Sequence, residues 1–145
     1  MSATDDTDTG LLASLYLADT HTPAALAAVS AAGAPLLLTS WQLVELVNAF
    51  QVRLFRRESN RADLAKAESH LLPDISASMV VSVALPAASV LSIARQLTAR
   101  QTARVGTRAF AISHVAPALQ LKTTRFLTLD PRQRALARPA GSRTA

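Results

Sequence analysis

Apolar residues along the chain follow two rhythms. Short unbroken apolar runs at 35–39, 78–85 and 125–129 fit buried strands, the second being rich in β-branched residues. Between them lie longer stretches with apolar residues three or four apart, the spacing of a helix with one buried face. Leu43, Val44, Val47, Phe50 and Leu54 mark such a face on a helix expected from a Ser40 cap to about position 57. Helices also fit 11–19 and 22–32, the latter opened by Thr22-Pro23 and ended by Gly33. A further helix fits 59–72, where Pro73 is expected to break it, and another 86–105, ended by Gly106. Thr107 is the expected cap of a helix over 108–121, and Pro131 opens the last, to about 138. Pro117 falls inside 108–121 and is expected to kink or shorten it, since an interior proline costs up to ~3 kcal/mol.

Strands separated by helices imply βαβ units, hence an α/β fold with a mainly parallel central sheet. One strand is missing from this pattern. It belongs before Leu11, yet 2–9 is polar. Positions 1–7 and 141–145 are expected to be poorly ordered. No internal repeat or linker appears, so 1–145 reads as one domain, a length that suits a single core.

Composition narrows the chemistry. The chain is 50% hydrophobic but only 4% aromatic, which favours closely packed helices over an all-β sandwich. It has no cysteine, which excludes disulfides and thiolate metal sites. No apolar run approaches the ~20 residues of a membrane span, so no membrane partner is expected. The first ten residues carry three aspartates and no lysine or arginine, unlike a secretory signal, and a cytoplasmic location fits. The net charge is +5, and Asp130 is the one acid beyond position 75. The C-terminal half therefore carries a basic field, suited to nucleic acid or to an acidic protein.

In open α/β sheets, ligands bind beyond the carboxyl ends of the strands. Asp130 stands at such an end. Asp8 would stand at the end of the first strand, and Glu45 lies one turn into the helix after the 35–39 strand. Three carboxylates on one sheet edge, with no cysteine and no paired histidines, suit a hard cation, Mg2+ or Mn2+. Such an ion can activate water for phosphodiester hydrolysis. Each acid also has a plainer reading. Asp130 before proline is a helix cap, Asp8 lies in a polar stretch, and Glu45 is a helix residue whose apolar neighbours leave it little surface.

Four segments carry a family resemblance: Asp8-Thr9-Gly10-Leu11-Leu12; Glu45-Leu-Val-Asn48-Ala49; Arg108-Ala-Phe-Ala111-Ile-Ser-His114-Val-Ala116; and Phe126-Leu-Thr-Leu-Asp130-Pro-Arg-Gln133. In order and spacing the chain resembles a PIN domain, and is most similar to the VapC-type toxins of prokaryotic toxin–antitoxin pairs. The resemblance implies a three-layer α/β/α fold and a Mg2+-dependent endoribonuclease acting on single-stranded RNA. It also implies an antitoxin partner and a homodimer, for which the apolar helices at 11–17 and 22–32 offer a surface. The family's acids fall on Asp8, Glu45 and Asp130, as metal and catalytic groups. Thr9, Asn48 and Arg108 fall beside them as substrate-binding and supporting groups.

The family's remaining acid falls at position 111, which is alanine here. Alanine cannot ligate an ion. Ser113 is close in sequence, but a helix turns ~100° per residue and carries it to another face. His114 shares the face of 111 and is expected to bond a backbone carbonyl in a packing role. Two functional readings follow: a ribonuclease impaired at 111, or a catalytically inactive module that keeps antitoxin or RNA binding. A plain α/β scaffold whose acids are caps is a third, set against the ordered match of four segments.

Overall fold

The computed structural model describes residues 4–144. Positions 1–3 and 145, expected to be poorly ordered, lie outside the described residues. Four strands, β1 (Asp5–Thr7), β2 (Leu36–Thr39), β3 (Val80–Val83) and β4 (Arg125–Leu127), form a parallel sheet in the order β3-β2-β1-β4. Helices α1 (Thr9–Tyr16), α2 (Thr22–Ala32), α3 (Ser40–Phe55) and α4 (Arg61–Ser76) join β1 to β2 and β2 to β3. From β3 the chain enters α5 (Ala87–Leu97), passes a π-type turn at Thr98–Thr102 and ends in the short α6 (Ala103–Val105). Helix α7 (Ala109–Gln120) then leads to β4, and α8 (Pro131–Ala137) follows.

Side chains alternate across a strand, so neighbouring residues serve opposite layers. Leu127, Leu36 and Leu38 join the apolar cluster of α1–α4, whereas Phe126 joins that of α5, α7 and α8. Helices therefore cover both faces of a parallel sheet, a three-layer α/β/α fold.

The central strand is the polar segment Asp5-Asp6-Thr7, completely buried. Terminal fraying was the expectation for 4–7, and distant partners reverse it. Asp5 pairs with Arg125 at 3.2 Å, and Arg125 also donates to the carbonyls of Ala31 and Ala32 at the end of α2. Asp6 Oδ1 accepts from the Thr7 N–H and from Gln42 Nε2, each at 2.8 Å. Gln42 Nε2 also donates to the Thr7 carbonyl at 2.6 Å. Positions 141–144 are likewise tied down, since the Phe126 N–H donates to the Arg143 carbonyl at 2.7 Å and Thr144 bridges to Phe126.

Other boundaries shift for local reasons. Thr39, not Ser40, caps α3, because Thr39 and Gln42 exchange side-chain bonds with each other's N–H in a capping box. Arg108, not Thr107, stands at the cap position of α7, without a side-chain bond. β3 is a sheet edge with only Val80 fully buried, less enclosed than its apolar sequence implies. Neither Pro73 nor Pro117 ends its helix: α4 runs on to Ser76 and α7 to Gln120.

Candidate functional site

The strand order fixes where a ligand can sit. β1 is followed by α1 on one face of the sheet, while its neighbour β4 leads to α8 on the other. The two connections part between β1 and β4, which opens a crevice at their carboxyl ends. Its walls include Asp8, Thr9, Asp19, Arg53, Phe110, His114, Asp130 and Gln133, around about 460 Å³.

Asp8 follows β1 directly and caps α1, its Oδ1 accepting from the Leu11 N–H at 2.6 Å. Its other oxygen accepts from the Thr128 hydroxyl at the end of β4. Burial pushes the Asp8 carboxyl up. The Thr128 and Leu11 bonds and the nearby His114 pull it down, and Asp130 adds a further upward push. Gly10 belongs to the same corner, where a Cβ would meet Asp8 Oδ1 at 3.4 Å. Asp130 caps α8, accepting from the Arg132 N–H at 2.8 Å, and its own N–H donates to the Thr128 hydroxyl at 3.0 Å. Thr128 thus ties the two acids together across the switch point.

Glu45 reaches the same edge from α3. Its Oε2 accepts from the Thr9 hydroxyl at 2.6 Å and lies 3.2 Å from His114 Nε2. His114 therefore faces a carboxylate rather than the expected backbone carbonyl. The reason is positional: α3 and α7 belong to opposite layers, and the Glu45–His114 contact bridges them above the strand ends. Glu45 Oε1 and His114 Nδ1 are buried without a hydrogen-bond partner among the described residues.

The other sequence candidates divide. Thr9 touches Glu45, as above. Asn48, one turn further along α3, is exposed and, among the described residues, makes no bond to the acids. Arg108 is exposed at the start of α7 and lies outside the crevice wall. Ala111 is 9% exposed, and its methyl belongs to the apolar cluster of α5, α7 and α8. Ser113 turns away, donating to the Phe110 carbonyl at 2.6 Å.

Sequence reasoning gave no role to Thr128, Asp19 or Gln133. Thr128 had a signal, since it stands two residues before Asp130 at the end of an apolar run. Asp19 had none. Bonds from Ser14 and the His21 N–H and its pair with Arg53 hold its carboxyl below the usual range despite the opposing effect of partial burial.

Mg2+ sets strict demands on its donors. The ion takes oxygen ligands in near-ideal octahedral geometry, commonly one or two carboxylates completed by water and substrate phosphate. Here both Asp8 oxygens hold protein donors, Asp130 caps a helix, and Glu45 is turned to Thr9 and His114. Among the described residues, no three histidine or acidic side chains converge to hold a metal ion. As these residues stand, they do not fit the ion.

No known protein family's sequence profile matches the chain, and no curated protein matches it. Among the described residues, no helix is long and apolar enough to cross a membrane.

Proposed function

We propose that the chain is a PIN-like protein of VapC type whose crevice binds single-stranded RNA without efficient hydrolysis. It is a binding module on a ribonuclease plan. The observation that carries this reading is Ala111. Asp8 and Asp130 are tied across the switch point, where a nuclease of this plan would gather its ion, but the helix that should bring another carboxylate brings a methyl into an apolar cluster. Glu45 Oε2 accepts from the Thr9 hydroxyl and faces His114. One observation favours the other reading, a working Mg2+- or Mn2+-dependent ribonuclease on three acids: Glu45 Oε1 is buried without a hydrogen-bond partner among the described residues and so is free to ligate.

The proposal extends to partners in a cytoplasmic toxin–antitoxin setting. Of the two segments expected to supply a dimer surface, 11–17 is largely core, with Leu11, Leu12, Ala13 and Leu17 buried, whereas α2 is mostly exposed, Leu26 included, and keeps that role in the proposal. The outer face of α3 offers a second surface: Trp41, Leu43, Val44 and Val47 are exposed there, in a patch suited to an antitoxin segment or a second copy of the chain.

The two readings differ in what Asp130 does to RNA. In a binding module it repels phosphate; in a nuclease it recruits the ion that attracts phosphate. Asp130→Asn keeps the helix cap. Anisotropy of a labelled single-stranded RNA in chelator is expected to show severalfold tighter binding to this variant than to the native chain, with no gain on adding Mg2+. Weaker binding by the variant, or native binding that requires Mg2+, overturns the proposal.

A further inference from the structure

We propose that the crevice seats one unstacked RNA base against the ring of Phe110, with the Gln133 side-chain amide reading its edge. This rests on the RNA-binding reading above and assigns the groups that would carry it.

Phe110 is the first observation. It lies in the first turn of α7, lines the crevice, and is 57% exposed. Its ring meets His114 nearly at right angles, centroids 5.0 Å apart and planes at 79°. That contact holds the ring without covering it. His114 is itself fixed by Glu45. The result is an oriented aromatic surface at the lip of a polar crevice. Every base has a π-face, so such a ring accepts any unpaired base by stacking.

Gln133 is the second, independent observation. It projects from α8 into the same crevice and is 7% exposed, and its Oε1 is buried without a hydrogen-bond partner among the described residues. A buried polar atom left unpaired is costly, so the position is incomplete without a polar ligand. A carboxamide joins a donor and an acceptor, the combination that pairs with the edge of a base. The crevice, about 460 Å³, falls in the range of small-ligand sites.

Phosphates need cations outside this acidic pocket. Arg108 stands two residues before Phe110, and Arg132 one before Gln133. Both are exposed, and neither makes an ion pair among the described residues. They flank the proposed base at the starts of α7 and α8. The arrangement selects single strands, because a base inside a duplex is stacked and paired and its edge is out of reach.

The test compares a labelled single-stranded RNA with an abasic strand of equal length, by anisotropy in chelator. The native chain is expected to bind the RNA ~10-fold more tightly than the abasic strand, the margin that stacking supplies. Phe110→Ala, a change at an exposed position, is expected to lose that margin while keeping its affinity for the abasic strand and its thermal midpoint. Phe110→Trp, made together with Trp41→Phe, is expected to keep the margin and to show indole quenching by RNA but not by the abasic strand. Gln133→Leu is expected to level affinities among the four homopolymers. If Phe110→Ala retains the native margin, the base seat is wrong although RNA binding stands. If the native chain binds neither strand, the RNA reading fails and the base seat with it.

Discussion

Asp6 is completely enclosed in the central strand, two residues before Asp8. Burial pushes its carboxyl up from 3.8 to about 7, against the pull of its Gln42 and Thr7 bonds. A carboxyl raised on folding contributes stability that is complete below its unfolded value and lost as pH rises through its folded value. Asp8 shifts in the same direction. Stability is therefore expected to fall as pH rises from about 4 to about 7, by a few kcal/mol, and Asp6→Asn is expected to flatten much of that slope in urea titrations. An unchanged slope would mean that Asp6 is ionised at little cost. Thr128→Val removes the donor to Asp8 and the acceptor for the Asp130 N–H, and is expected to cost ~1–3 kcal/mol by chemical denaturation. Glu45 and Asp130 were legible in the sequence because each is a lone charge beside apolar residues, and Asp8, within a polar stretch, because it directly precedes the Leu11 helix. Asp5 and Asp6 were not, because burial of a charge depends on partners that spacing does not reveal. Arg125 is 120 positions from Asp5, and Gln42 is 36 from Asp6.

Among the elements, the apolar strands β2 and β4 and most of the helices followed from periodicity, with ends displaced by a few residues, but the buried face of α3 did not: Leu43, Val44 and Val47, expected in the core, are exposed, and Leu46 and Phe50 are buried with Gln42. The prolines did not follow. An interior proline costs up to ~3 kcal/mol, whereas each fully buried side chain of valine or isoleucine size returns ~1.5–3 kcal/mol. Helix α7 buries Ile112, Val115 and several alanines along with Pro117, so packing outweighs the lost backbone bond. The proline in α4 is different, because Pro73 is exposed and contributes little packing. Pro73→Ala is therefore expected to stabilise the protein by ~1–3 kcal/mol, read as a higher thermal midpoint. A lower midpoint would show that the proline shapes the turn into β3.

At the scale of the whole molecule, the parallel order β3-β2-β1-β4 makes the site, since it sets two acids from the ends of the chain at adjacent strand ends. The α/β class was legible from the alternation of strands and helices, and the place of the site from the rule that ligands bind beyond strand ends. The Glu45–His114 contact was not, because it joins two helices from opposite layers whose approach depends on the finished sheet. The proposal is that this crevice keeps the plan of a metal-dependent nuclease and lacks one carboxylate. It is tested most directly by cleavage of a labelled single-stranded RNA with Mg2+, Mn2+ or chelator, for the native chain beside Ala111→Asp, with binding of the same RNA recorded for both. The expected result is that both proteins bind the RNA and that only the variant cuts it, and only with metal. Metal-dependent cutting by the native chain, or a variant that folds and binds RNA yet cuts with neither ion, would contradict the claim.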